Sequence, residues 1–167
     1  REHGTRELVT RWADGSETRT NWAGVRHDAL KMTQALRKLG IQPGERIATL
    51  AMNHVHHLIS WYGAVGVGGV LHTINPRLFD DQLEYIANHA EDQVLCFDMT
   101  FLPIVKAIWS KCTTVKHWIA LCDADKLPAD SWLRKVTGLM DDGTITADEL
   151  KTLGRGFMNG KGNGHGW

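Results

Sequence analysis

The chain has 167 residues, 43% of them hydrophobic and 23% charged, enough for one full core and too few for two complete domains. Lysine plus arginine equals aspartate plus glutamate at 19 each, so no basic stripe predicts nucleic acid and no charge excess predicts an anionic membrane partner. No apolar run reaches the roughly 18 to 20 residues that cross a bilayer, and three cysteines without a C-x-x-C pair, Cys96, Cys112 and Cys122, predict reduced core thiols in a cytoplasmic protein. The first residue is Arg1 and no charged-then-apolar leader follows, which predicts a chain without a secretory signal whose N-terminus is itself trimmed.

Glu7 to Trp12 and Glu17 to Asn21 flank the turn-forming Ala13-Asp14-Gly15-Ser16 and read as a β-hairpin. The period then changes to that of a helix. With Thr20 or Asn21 as N-cap, Val25, Ala29, Met32, Leu36 and Leu39 recur at spacings of four and three until Gly40 ends the run. After the Pro43-Gly44 turn, Arg46 to Ala51 reads as a strand and Asn53 is placed to cap a second helix with Val55, Leu58, Ile59, Tyr62 and Val65 on its apolar stripe. Val70 to Ile74 reads as a second core strand. A third helix starts near Phe79, with Asp80 and Asp81 at its positive end and Leu83, Ile86, Ala87 and Ala90 buried. Val94 to Phe97 is a short apolar strand, Thr100 is placed to cap a fourth helix that admits Pro103 in its first turn and buries Leu102, Val105 and Trp109, and Val115 to Leu121 is a last strand. Strand and helix alternate, so the fold class is α/β, a mostly parallel sheet with helices on both faces, preceded by the hairpin. Beyond Asp123 the periodicity fades, and the glycine-rich stretch from Gly154 to Trp167 predicts a poorly ordered tail.

Several stretches invite a chemical reading and fail on spacing. Gly63-Ala64-Val65-Gly66-Val67-Gly68-Gly69 resembles a dinucleotide loop, but such a loop follows a strand and opens a helix, whereas these glycines follow a helix and precede a strand. They are expected to end the helix and let backbones pack closely. His54, His56 and His57 do not share a helical face as ligands four apart would, so structural or solvated roles are favoured over metal. Asp141 to Leu150 has the second half of a calcium loop, but Gly138 and Met140 fall where side-chain oxygens are needed, and Thr146 with Glu149 reads instead as a capping box. The tail has glycines and Lys161 but no G-K-[ST]. Ser16, Ser60, Ser110 and Ser131 have no base partner legible in the sequence, and no Gly-x-Ser-x-Gly elbow occurs. No catalytic, cofactor-binding or metal-binding residue is assigned.

Gly40-Ile41-Gln42-Pro43-Gly44-Glu45-Arg46-Ile47-Ala48, Asn53, Gly63-Ala64 through Gly69-Val70-Leu71, Ile74-Asn75-Pro76-Arg77-Leu78 and Tyr85-Ile86-Ala87-Asn88-His89-Ala90-Glu91-Asp92 together carry a family pattern. From about Thr5 to about Leu121 the chain resembles the N-terminal region of adenylate-forming acyl-CoA synthetases, and within them most resembles bacterial medium- and long-chain fatty-acid CoA ligases. The resemblance implies that residues 1–122 form a partial N-terminal subdomain and 123–167 a divergent tail. For an intact enzyme it implies fatty acid, ATP, Mg²⁺ and CoA: the carboxylate attacks the α-phosphate to give an acyl-adenylate and pyrophosphate, and the CoA thiol then displaces AMP. The family's Ser/Thr/Gly-rich phosphate loop ending in Pro-Lys-Gly is not found in this sequence. The chain alone is therefore expected to bind none of these cofactors and to lack ligase activity, since losing even one preorganised donor commonly costs about 10² to 10³ in rate. A homo-oligomer or interaction domain using uncovered strand edges is the alternative reading, and a flavodoxin-like nucleotide or flavin binder rests on fold analogy alone. The loss of pattern near Asp123 predicts a truncated or late frame-shifted reading frame, and phosphate-loop codons in another frame just downstream would mark the shift.

Overall fold

The computed structural model describes residues 3–122. The expectations placed on the residues beyond Asp123, including Asp141 to Leu150 and the glycine-rich tail, lie outside the described residues. Strands β1 (Glu7–Arg11) and β2 (Glu17–Asn21) form the expected antiparallel hairpin, with Gly15 at φ 85° in its turn. Helix α1 (Trp22–Lys38) follows at once, capped by the Asn21 side chain, which accepts from Gly24 N–H at 2.9 Å. Then come β3 (Arg46–Leu50), α2 (Val55–Gly66), β4 (Val70–Thr73), α3 (Asp80–His89) and β5 (Asp92–Phe97). A short 3-10 turn over Met99–Phe101 leads into α4 (Leu102–Ile108), and β6 (His117–Ala120) closes the described chain.

The four later strands are parallel, in the order β4-β3-β5-β6. Successive side chains on a strand point to opposite faces, and the two central strands are apolar on both. Ile47, Val94 and Cys96 pack beneath α1 and α2 with Val25, Met32, Leu36 and Ile59. Ala48, Leu50, Leu95 and Phe97 pack beneath α3 and α4 with Leu83, Ala87, Val105 and Ile108. Each buried Val, Leu, Ile, Met or Phe among them contributes about 1.5 to 3 kcal/mol relative to exposure, so the sheet is held from both sides.

Several details correct the sequence reading. Among the described residues strand β4 is an edge rather than a core strand, with Val70 52% exposed. Helix α2 is capped by His54 and not Asn53, because the His54 ring accepts from His57 N–H. The buried face of α2 runs through Val55, Ile59, Gly63 and Ala64, leaving Tyr62 and Val65 exposed. The reason is the glycines. A Cβ on Gly63 would overlap Cγ of Met32 and lie 2.6 Å from its Cβ, and one on Gly66 would overlap Oγ1 of Thr33. Thr33 Oγ1 lies 3.0 Å from the carbonyl oxygen of Gly63, so α1 sits directly on the α2 backbone. Thr100 is not a cap: its N–H donates to Asp98, which caps the 3-10 turn. Strand β6 is shorter than the expected Val115 to Leu121.

A histidine–aspartate pair lies inside this frame. The Asp92 carboxylate is fully buried and accepts from His72 Nδ1 at 2.8 Å, reaching across β3 from β5 to β4. That hydrogen bond raises the His72 pKa above the ordinary histidine value, against the opposing effect of burial.

Two outcomes follow. Gly63→Ala lowers stability by about 1 to 3 kcal/mol in urea titration, because overpacking against Met32 outweighs the helix propensity gained. His72→Ala costs about 1.5 to 3 kcal/mol at pH 6 by leaving a buried carboxylate short of a donor. Because the folded pKa of His72 is raised, its extra contribution is full below the unfolded histidine pKa and is lost as pH rises through the folded one. The gap between wild type and His72→Ala therefore narrows from pH 6 to pH 9 in urea titrations.

Candidate functional site

In an open parallel sheet, ligand sites form outside the carboxyl ends of two adjacent strands whose connections depart in opposite directions. Here those strands are β3 and β5: the chain leaves β3 through α2 to β4, and leaves β5 through α4 to β6 on the other side. The residues at this switch point are Ala51 to His54 after β3 and Asp98 to Thr100 after β5, joined at the backbone by Asp98 N–H donating to the Leu50 carbonyl at 3.0 Å.

The side chains there engage one another. His54 Nδ1 accepts from His57 N–H at 3.2 Å, which requires a lone pair on that nitrogen and assigns the proton to Nε2. His54 Nε2 therefore donates to Asp98 Oδ2 at 3.0 Å, while Asp98 Oδ1 accepts from Thr100 N–H at 3.2 Å. Burial works against ionisation of Asp98, but the His54 and Thr100 hydrogen bonds outweigh it and hold its pKa below the ordinary carboxylate value. His57 carries the opposite tautomer. Its Nδ1 donates to the Met52 carbonyl at 3.2 Å, so its Nε2 accepts from the Thr49 hydroxyl at 3.0 Å. Burial lowers its pKa below the ordinary histidine value, which favours the neutral ring.

The hairpin closes over this cluster. The Thr10 hydroxyl accepts from Val55 N–H at 3.0 Å, and the Trp12 ring lies against His54 and His56 with centroids 5.1 and 5.4 Å apart. His54, His56 and His57, three positions that cannot share one helical face, are thus divided among a cap, the hairpin contact and the β3 strand end. Among the described residues no group of three His, Cys, Asp or Glu is placed to hold a metal ion. The sequence pattern offered no signal for Asp98 or Trp12, because both act across the fold: Asp98 on a residue 44 positions away, Trp12 from the hairpin.

The glycine block does not fit a phosphate. Gly68 N–H donates to the Val65 carbonyl at 2.9 Å and Gly69 N–H to the Ala64 carbonyl at 3.0 Å, so the donors that would hold an anion already end the helix. Gly68 has φ 80°, and a Cβ on Gly69 would overlap Ile47 Cδ1. Asn75 ends the segment after β4, its side chain accepting from Arg77 N–H at 3.0 Å. Cys96 and Cys112 are buried free thiols, pushed up by burial to about 12 and about 11.

The sequence profile of the AMP-binding enzyme family matches residues 1–150. The chain belongs to the AMP-binding enzyme family. It is 54% identical over 121 residues to 3-methylmercaptopropionyl-CoA ligase of Ruegeria lacuscaerulensis, covering 72% of this chain and 22% of that protein. It is 45% identical over 121 residues to the medium-chain-fatty-acid–CoA ligase of Ectopseudomonas oleovorans, again covering 72% and 22%. Among solved structures, the N-terminal domain of FACL13 from Mycobacterium tuberculosis superposes with a TM-score of 0.59 at 29% identity, covering 62% of this chain and 27% of that one. These matches bear out the resemblance to the N-terminal region of acyl-CoA synthetases and the α/β fold class. The chain spans about a fifth of the length of the curated relatives it matches. Among the described residues of this AMP-binding family member, no helix is long and apolar enough to cross a membrane.

Asp98→Asn is expected to lower stability at pH 7 by about 1 to 2 kcal/mol, since the amide is a weaker acceptor for His54 and Thr100. With its folded pKa depressed, the Asp98 contribution is present above the unfolded carboxylate pKa and is lost as pH falls through the folded value. Urea titrations should show the gap to wild type closing in acid, and a constant gap from pH 7 to pH 3 would refute the assigned geometry.

Proposed function

We propose that this chain is the N-terminal part of a bacterial carboxylic acid–CoA ligase that joins a fatty or short thioether acid to CoA with ATP and Mg²⁺, releasing AMP and pyrophosphate. The observation that carries the reading is 54% identity over 121 residues to a protein named as a CoA ligase, within a family match over residues 1–150. The acid follows the relatives' names: 3-methylmercaptopropionate from one, a medium-chain fatty acid from the other. We place the partial N-terminal subdomain at residues 1–122 and a separate tail at 123–167, although the family profile continues across that boundary to residue 150.

What residues 3–122 contribute is a scaffold. Their glycine loop fits no phosphate, and the side chains at the switch point are bonded to one another, so ATP and CoA would be held elsewhere in a longer ligase. We propose that the 167-residue chain alone is inactive and that it acts in the cytoplasm. The alternative, a non-catalytic interaction domain, draws on the open edge of β4.

Two measurements test this. The purified 167-residue chain should give no acid-dependent ATP–pyrophosphate exchange with octanoate or 3-methylmercaptopropionate, and exchange above the blank would overturn its proposed inactivity. Conversely, residues 5–121 grafted in place of the matching segment of the Ruegeria lacuscaerulensis ligase should keep CoA-thioester formation within about tenfold of the parent, some 1.4 kcal/mol of barrier. A soluble, folded hybrid without activity would remove the scaffold reading.

A further inference from the structure

Helix α2 has two apolar faces, and the described residues cover one of them. Val55, Ile59, Gly63 and Ala64 lie on the core side. Along the other side run Leu58, Trp61, Tyr62 and Val65, at the i, i+3, i+4, i+7 spacing of a single helical stripe. Leu58 is half-buried, while Trp61, Tyr62 and Val65 are 48%, 48% and 55% exposed. Trp22 at the start of α1 extends the stripe, its ring edge-on to Tyr62 with centroids 6.4 Å apart.

The residue types on this face separate it from ordinary exposed surface. No Asp, Glu, Lys or Arg occurs between Arg46 and Arg77. The exposed side of α1, by contrast, carries Arg26, His27, Gln34, Arg37 and Lys38 around Leu30, and α3 opens with Asp80 and Asp81. A helix that is apolar all round is a buried helix. The 12 residues of α2 are too few to cross a bilayer, and α2 lacks the lysines and arginines that hold an interfacial helix on anionic lipid.

We propose that the face of α2 formed by Leu58, Trp61, Tyr62 and Val65 is the seat of a later segment of the same ligase chain, which lays an apolar face across it and makes α2 an inner helix between two layers. This rests on the reading of the chain as the N-terminal part of a longer CoA ligase. The relatives supply the length for such a cover: the chain spans 22% of each of two, and the family profile runs past the described residues to 150. Covering three large side chains that stand about half in water removes apolar area from solvent, and no Asp, Glu, Lys or Arg of α2 has to be desolvated in doing so.

The same substitutions separate two settings, the 167-residue chain and the hybrid in which residues 5–121 replace the matching segment of the Ruegeria lacuscaerulensis ligase. Val65→Lys and Trp61→Lys should leave the melting temperature of the chain alone within about 3 °C of wild type, as substitutions at exposed positions do. In the hybrid each should lower it by about 6 °C or more, because the ammonium is forced into an apolar contact. Leu30→Glu, on the charged side of α1, should be neutral in both. Melting is read independently of turnover, so a folded but inactive hybrid that shows this contrast upholds the contact even where the scaffold reading fails. A folded hybrid that tolerates both lysines overturns the proposal, whatever its activity. So does a chain alone destabilised as much as the hybrid, since the cover then lies within its own 167 residues. If the hybrid tolerates both lysines and the chain alone forms dimers, or co-sediments with phosphatidylcholine vesicles, only while Trp61 and Val65 are intact, the face belongs to a second copy or to a lipid surface. An unsubstituted hybrid that does not fold removes this contact and the scaffold reading together.

Discussion

The close approach of α1 to α2 is the contact on which the rest of this structure depends. Met32 and Thr33 occupy the space that side chains on Gly63 and Gly66 would fill, and the Thr33 hydroxyl lies within bonding distance of the Gly63 carbonyl. That contact fixes how α2 is rotated about its own axis. Val55, Ile59 and Ala64 are thereby directed to the core, the His57 ring reaches the end of β3, and Trp61 and Val65 are left on the outer flank. A glycine stretch that suggests nucleotide chemistry in a linear reading is, in three dimensions, the surface that lets two helices meet at backbone distance.

The second organising element is the crossing of chain directions between β3 and β5. In a parallel sheet this is where ligand sites form, because departing connections leave a gap between strand ends. Here His54 and Asp98 bridge the gap, with the hairpin lying over them through Thr10 and Trp12. The hydrogen bonds give His54 and His57 opposite tautomers, so the cluster holds two loops and a hairpin in fixed relation. This rigid corner fits the scaffold role proposed above.

Much of this was legible in the residues. The Asp-Gly turn of the hairpin, the regular stripe of α1 with its Asn21 cap, and the apolar runs of β3 and β5 are local signals, set by backbone preference and by periods of two and 3.6 residues. The failures share one cause. Asn53 and Thr100 are good caps by residue type, but His54 caps α2, Asp98 caps the 3-10 turn ahead of α4, and the two also bond to each other between the ends of β3 and β5. The stripe through Tyr62 and Val65 has helical spacing, yet the two glycines on the neighbouring face offered closer packing to α1.

By itself, then, the sequence determined the element types, their order, the parallel α/β class and the family, because these follow from local periodicity, turn chemistry and ordered blocks of residues. Only the tertiary structure decided which strand is an edge, which face of α2 is buried, and that His72 meets Asp92 and His54 meets Asp98. Those outcomes depend on strand order and helix rotation, and both are fixed by contacts between residues 20 to 44 positions apart, where the linear pattern carries no information.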